Sequence, residues 1–352
     1  MSLLTPADLG GWRLPNRVVL APTTRARGCV PTDLQAEYYA RRAGAGLVIT
    51  EGTWVSERAV GFPNVPGVHT DEQVAGWRRV TDVVHALGGR IVLQLWHTGA
   101  VSHAELLGTR PAGPSAVDPQ EYVHTATGRR PTVTPREMSA GEIRRTVEDY
   151  RTAAGNARRA GFDGVEVAAH GVYLLAQFLH PRLNRRRDAY GGSARARRKL
   201  VLDVVDAVAG TGIAVGVRLA PYWTGGLFTV DDALRADLDE LVRDLDRLAY
   251  LHLRGPDTGP DTGPDFAAFA RYRRLFDGAV IVNNGFDRDS GNAVVEAGIA
   301  DAVSYARHFV ANPDLVTRFA LGRELAAGDP ATYYGGGVAG YLEHPEVAAV
   351  SG

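Results

Sequence analysis

The sequence predicts a single α/β domain built as a closed (β/α)8 TIM barrel, with a long excursion after the third strand. Three observations predict it. Short apolar runs recur eight times along the 352 residues, each followed by a longer helical stretch. These runs are continuously apolar rather than alternating, as strands buried on both faces are. No Gly-x-Gly-x-x-Gly turn follows an early strand, which disfavours a doubly wound open sheet. The length suits one barrel with insertions, spanning 1–352.

Strand one is read at Val18 to Ala21. Thr32 and Gln35 have the spacing of a capping box, so a helix is expected from Thr32 to Arg42. Strand two is Leu47 to Thr50; Thr70 and Gln73 then open a helix reaching Ala86. Strand three is Ile91 to Leu95. The excursion, 97–138, is rich in Pro, Gly and Thr, and irregular segments of that length are usually functional or disordered. Within it, Glu121 to Thr125 and Arg130 to Thr134 are a candidate hairpin. Ser139 and Glu142 cap a helix running to Arg159.

Strand four is Gly164 to Val167, followed by a helix from Ser193 to Ala209. Strand five, Ala214 to Leu219, leads to a helix from Val230 to Arg247. Strand six is Tyr250 to Leu253. A doubled Asp-Thr-Gly-Pro at 257–264 reads as turn material before a helix from Asp265 to Phe276. Val280 to Asn283 and Ala302 to Tyr305 are strands seven and eight. A final helix is expected with Asn312 as its N-cap and Pro313 in its first turn, and 329–352 forms a C-terminal tail.

Composition narrows the function. Hydrophobic residues make up 45%, enough for a large core. A formal net charge of -1 gives no electrostatic case for nucleic acid or an anionic membrane. The Arg185-Arg186-Arg187 run is too short for a nucleic-acid arm. Cys29 is the single cysteine, so no internal disulfide is possible, which fits a reducing cytoplasm. No signal peptide or membrane-length apolar run is read. The expected partner is a small-molecule substrate, and the expected state is a monomer or homodimer.

Barrel enzymes keep their chemistry at the C-terminal ends of the strands. There the chain places Pro22-Thr23-Thr24-Arg25, Glu51-Gly52-Thr53 and Gln94-Leu95-Trp96-His97. Arg218 lies in strand five, Asn283-Asn284-Gly285 ends strand seven, and Tyr305-Ala306-Arg307 ends strand eight. A phosphate often sits between the loops after strands seven and eight. Asn284 and Gly285 can present backbone N–H groups, and Arg307 a planar fork for phosphate oxygens. Read alone, they are equally an ordinary turn and a surface arginine. After strand four comes Ala168-Ala169-His170-Gly171-Val172-Tyr173, where Tyr173 in isolation reads as a core aromatic and His170 as a loop histidine. His97, His103 and His170 lack the spacing and carboxylate partner of a metal site, so none is expected.

Together these stretches resemble one family. The chain is similar to the Old Yellow Enzyme family of FMN-dependent ene-reductases, in the layout of its bacterial members such as pentaerythritol tetranitrate reductase. The resemblance covers nearly the whole length and rests on ordered matches. These include Pro15-Asn16-Arg17-Val18, Ala21 to Arg25, Glu37-Tyr38-Tyr39, Arg90 to Gly99, Ala160 to Glu166, Asn184 to Gly192, Ala311 to Val316 and Tyr334 to Gly337. It implies FMN as cofactor and NADPH or NADH as reductant. It implies contacts to the flavin from Pro22, Thr23, Thr24, Gly52, Gln94 and Arg218, with the phosphate held by Asn284, Gly285, Ala306 and Arg307. Ala306 stands where the family usually has glycine. Phe62, Trp96 and Tyr334 would line the substrate pocket. Tyr173 matches the residue that protonates the alkene's α-carbon after hydride reaches the β-carbon. Arg129 and Arg130 are weaker candidates for a dinucleotide phosphate, with surface solvation favoured.

One motif departs. The family carries His-x-x-His or His-x-x-Asn before that tyrosine, and the pair holds the substrate's carbonyl or nitro oxygen. Aligned without gaps, those positions hold Ala168 and Gly171. Either the local chain has slipped and His170 survives as one donor, or the pair is lost; the difficulty of slipping a strand favours loss. The expectation is an oxidoreductase acting on an activated C=C bond of a specialised, natural-product-like substrate. A flavin-dependent dehydrogenase, an isomerase, a redox-neutral tailoring enzyme and a decayed flavin-binding protein are the alternatives.

Overall fold

A computed structural model describes residues 2–259 and 262–343. Residues 260 and 261 of the repeated turn and 344–352 of the tail lie outside the described residues. The barrel strands are β1 (Val18–Leu20), β2 (Leu47–Ile49), β3 (Ile91–Trp96), β4 (Gly164–Ala168), β5 (Ala214–Leu219), β6 (Tyr250–Arg254), β7 (Ala279–Asn283) and β8 (Ala302–Tyr305). All neighbouring pairs are parallel, and β3 pairs with β4 to complete the circuit. Thr53–Trp54 adds a short parallel pairing to the upper end of β3.

Strand periodicity sorts the side chains into two layers. Val18, Leu20, Val48, Ile91, Leu93, Leu95, Val165 and Val167 point outward, into the core shared with the helices. Val19, Leu47, Ile49, Val92, Tyr250, Ile281 and Ala302 point inward and fill the barrel floor. An N-terminal hairpin, Ala7–Leu9 with Trp12–Leu14, plugs that end with Leu9 and Leu14. The same alternation turns Gln94, Glu166, Ala168, Arg218, His252, Asn283 and Ser304 inward, nearer the C-terminal ends.

The outer helices are α1 (Asp33–Ala40), α2 (Asp71–Ala86), α3 (Ala140–Arg159), α4 (Ala194–Ala209), α5 (Asp232–Asp244), α6 (Phe266–Arg273), α7 (Arg288–Glu296) and α8 (Leu315–Leu321). The expected capping boxes form at Thr32 with Gln35, Thr70 with Gln73 and Ser139 with Glu142. Each satisfies orphan N–H groups, and losing such a cap typically costs about 1 kcal/mol.

Asn312 departs from expectation. It closes the short helix Arg307–Ala311, while α8 begins after Asp314. Its amide donates to the carbonyls of His308 (2.9 Å) and Ala326 (3.1 Å), and its oxygen accepts from Ala326 N–H at 2.8 Å. Those bonds tie the side chain to a distant segment and leave it no role as an N-cap. The helices after β5 and β6 are also shorter than read: Asp231 and Asp265 are their N-caps, and they end at Asp244 and Arg273.

The excursion carries a short helix, Ala104–Leu107, and a parallel pair, Ala112–Gly113 with Arg136–Glu137. Its hairpin joins Tyr122–Thr125 to Gly128–Pro131, slightly earlier in its second arm than the sequence suggests. A helix not foreseen, Leu174–Leu179, follows Tyr173 and buries Leu174, Leu175 and Phe178.

Candidate active site

The inward residues form a buried polar layer beneath the mouth. Gln94 Nε2 donates to Glu166 Oε1 at 2.7 Å, and Glu166 Oε2 meets His252 Nδ1 at 2.8 Å. The carboxylate can only accept, so Nδ1 of His252 carries the hydrogen. Nε2 then accepts from the Ser304 hydroxyl at 2.8 Å. Burial pushes the Glu166 carboxyl upward, but His252, Arg218 and Gln94 together outweigh this and hold it below the ordinary value. Burial keeps His252 neutral.

Arg218 is in register with Ala168 on one side and His252 on the other. Its Nη2 donates to Asn283 Oδ1 at 3.0 Å, and Asn283 donates to the Ser304 carbonyl at 2.8 Å. Its Nε is buried with no hydrogen-bond partner among the described residues. A buried guanidinium with an idle donor below an open barrel mouth suits the anionic edge of a flavin ring. The sequence reading proposed Gln94 and Arg218 for the site and placed Asn283 at a strand end, but gave no role to Glu166, His252, Asn283 or Ser304, which form the bonded layer around them. Their signal was a polar residue at an inward position near the C-terminal end of an otherwise apolar strand.

Above this layer stand aromatic rings. Trp96 stacks on Trp54 at 4.4 Å and meets the edge of Tyr173 at 4.7 Å. Tyr173 is half-buried at the N-cap position of the Leu174–Leu179 helix. Gly52 is what lets Trp96 lie there, since a Cβ would overlap the six-membered part of its indole. Gly52→Ala is therefore expected to displace Trp96 and to destabilise the fold by about 1–3 kcal/mol, measured by urea unfolding.

His170 sits 5.9 Å from the Tyr173 ring, edge to face. Its other side borders a small cavity of about 30 Å³ with Trp223, Leu219 and Phe228. Nδ1 is buried with no partner among the described residues, and burial, followed by the charge of Arg218, holds the imidazole well below its usual pKa. Ala168 is the last residue of β4, with its strand in unbroken register. Gly171 has φ +65°, a left-handed conformation natural to glycine.

Three rings from separate segments meet at the rim. Phe62 lies 4.9 Å from His124 of the hairpin and 5.6 Å from Tyr334 of the tail. His124 carried no local signal, because only the fold brings the hairpin over the mouth. The tail that delivers Tyr334 is fastened from below. The buried Arg25 guanidinium donates to the carbonyls of Thr332 (3.3 Å), Tyr333 (3.0 Å) and Gly340 (2.7 Å). Tyr38 and Tyr341 stack at 4.1 Å beside it.

Glu51 Oε2 accepts from the backbone N–H groups of Arg25 (3.1 Å) and Ala26 (3.3 Å), and Oε1 has no partner among the described residues. Burial raises its pKa from 4.5 to about 7 against those bonds and the nearby arginines. A raised carboxyl binds its proton more tightly when folded. Its contribution is therefore complete below pH 4.5 and is lost as pH rises towards about 7. Thermal melts across that window should fall with pH in the wild type and flatten in Glu51→Gln.

After β7 and β8, Asn284 has φ +92° and Gly285 φ +79°. The Asn284 amide donates to Pro256 O (2.8 Å), Gly255 O (3.2 Å) and Asp257 Oδ1 (3.0 Å), so its side-chain nitrogen fixes the β6 loop and its backbone N–H is the donor left for a ligand. Ala306 precedes the short helix that Arg307 opens, and Arg307 is exposed, makes no salt bridge among the described residues, and exerts its charge on Asp257. Pro22, Thr23 and Thr24 follow β1, half-exposed, and the Thr23 hydroxyl turns back to Ala21 O at 3.1 Å. Arg129 lies over the Tyr122 ring at 4.0 Å, and Arg130 bonds Thr127 at 3.0 Å. Among the described residues no group of three or more His, Cys, Asp or Glu side chains is placed to hold a metal.

A closed parallel barrel with convergent polar groups at its C-terminal rim defines the class, a (β/α)8 enzyme. The chain belongs to the NADH:flavin oxidoreductase / NADH oxidase family, whose model matches residues 2–326. It is thus an FMN-dependent NAD(P)H oxidoreductase of the Old Yellow Enzyme type. It is 39% identical to the putative 12-oxophytodienoate reductase 4 of Oryza sativa subsp. japonica, over 97% of this chain and 92% of that protein. It is also 39% identical to 12-oxophytodienoate reductase 2 of Arabidopsis thaliana, over 99% of this chain and 96% of that protein. Among solved structures, morphinone reductase superposes with a TM-score of 0.94 at 43% identity, covering 100% of this chain and 98% of its own. The Old Yellow Enzyme homologue from Zymomonas mobilis gives 0.93 at 34% identity, covering 99% and 100%. Morphinone reductase is also known in complex with tetrahydroNAD, at 44% identity, a TM-score of 0.93 and coverage of 100% and 99%. No helix among the described residues is long and apolar enough to cross a membrane.

Proposed function

We propose that this enzyme reduces an activated C=C bond on a specialised, natural-product-like substrate without the family's paired carbonyl anchors. One observation carries the reading: Ala168 faces inward in register with Arg218, and Gly171 follows it in a left-handed turn. Neither residue offers a side-chain donor. The unbroken pairing of β4 with both neighbours argues against a slipped strand. The names of its relatives, reductases of 12-oxophytodienoate and morphinone, are in keeping with an oxo-conjugated substrate.

Bound FMN supplies the redox chemistry, with NADH or NADPH as the electron source. On this reading Pro22, Thr23, Thr24, Gly52, Gln94 and Arg218 surround its ring. Backbone from Asn284, Gly285 and Ala306, with the Arg307 side chain, holds the phosphate. Tyr173 donates a proton to the substrate's α-carbon, and Phe62, Trp96 and Tyr334 line the pocket. His170, neutral and against the Tyr173 ring, packs the phenol into place.

The test is turnover of 2-cyclohexenone. The wild type is expected to be slow, and Ala168→His with Gly171→Asn to raise turnover by about 10²-fold, the usual worth of one oxyanion donor. Asn tolerates the left-handed backbone, and a Cβ at Gly171 would be 3.7 Å from Trp223, an ordinary contact. Wild-type turnover equal to that of the double variant would defeat the proposal.

A further inference from the structure

We propose a second binding site, beside the barrel mouth and beneath the excursion, for an amphipathic organic anion: a carboxylate on an apolar body. It goes beyond the reading above and does not depend on it. A cavity of about 440 Å³ opens there, within the range of small-molecule sites. Its apolar wall comes from Leu106 and Leu107 on the Ala104–Leu107 helix and from Met138, which is buried.

The charged rim sets the class of ligand. Four arginines line it: Arg58, Arg110, Arg136 and Arg145. Arg58 is engaged by Asp149 at 2.8 Å and Arg136 by Glu142 at 2.6 Å. Arg110 commits only Nε, to the Thr134 carbonyl at 2.7 Å. Arg145 has no hydrogen-bond or ion-pair partner among the described residues. Two guanidiniums are thus available, against one uncommitted carboxylate at the rim, Glu57. Planar forks suit a carboxylate, and the adjoining leucines suit an aliphatic body.

His97 forms the inner wall. Burial, and then Arg58, hold it neutral with a pKa of about 3. Its Nδ1 accepts from Gly99 N–H at 3.0 Å, so Nε2 carries the hydrogen and adds a neutral donor. The site is separate from the mouth. Trp96 turns towards Tyr173, while the next residue, His97, lines this cavity, and neither Tyr173, His170 nor Phe62 borders it.

The experiment is calorimetric titration of full-length, FMN-loaded enzyme with decanoate, using decanol as the uncharged control. One decanoate per chain is expected, with decanol weaker. Arg145→Glu and Arg110→Glu, both on exposed side chains, should each weaken decanoate by about tenfold or more. Saturating 2-cyclohexenone should leave decanoate binding unchanged. Absence of decanoate binding, equal affinity in the Arg110→Glu/Arg145→Glu double variant, or competition with the enone would each overturn the proposal.

Discussion

Replacing Tyr173 by phenylalanine is expected to slow consumption of the alkene by about 10²–10⁴-fold, the usual contribution of a positioned general acid. Reduction of the enzyme by the nicotinamide cofactor should keep its wild-type rate. The phenol is placed by the turn that starts the Leu174–Leu179 helix and by the edge contact with Trp96. Phenylalanine preserves both, so the change removes one proton and little packing. Burial, followed by the neighbouring Tyr334, pushes the Tyr173 pKa to about 12. The group is protonated below that value, so its donor form is complete at neutral pH and is lost only as pH approaches 12. The wild-type rate should therefore show no Tyr173 limb between roughly pH 6 and 9. Stopped-flow mixing of pre-reduced enzyme with substrate isolates this step. An unchanged rate in the variant would show that solvent supplies the proton instead.

Glu166→Leu should cost about 3–5 kcal/mol of stability, the usual result of leaving a buried charge uncompensated, here that of Arg218. The carboxylate is fully buried and joins Gln94 to His252. Its negative charge also acts on the buried Arg218, whose own pKa burial lowers and Glu166 raises. Leucine fills the space but leaves the Gln94 amide and His252 Nδ1–H unpaired and the Arg218 cation uncompensated. Glu166→Gln retains an acceptor and should fall between leucine and the wild type. Urea unfolding of flavin-free protein reads the effect without the cofactor's contribution. A leucine variant as stable as the wild type would mean that the polar layer relaxes into other partners.

The parts of the fold that were legible are those with local signals. The boxes at Thr32, Thr70 and Ser139 lie within three residues of their partners, and those helix starts appear where expected. The eight apolar runs became the eight barrel strands because burial on both faces leaves little room for other residue types. Asn312 was misread because its partner, Ala326, is brought to it by the folded chain. Tyr334 was singled out by the family resemblance, whereas His124 was separable from its surroundings only once the hairpin met Phe62 and Tyr334. Glu166, His252 and Ser304 were readable in principle. Each is polar at an inward position of an apolar strand, but naming their mutual bonds requires the register of the closed sheet.

The grip of Arg25 on the carbonyls of Thr332, Tyr333 and Gly340 has a practical side. The segment that brings Tyr334 to Phe62 is anchored by a residue of the loop after the first barrel strand. Deleting residues 332–340 would discard Tyr334 and leave the Arg25 guanidinium without these three acceptors.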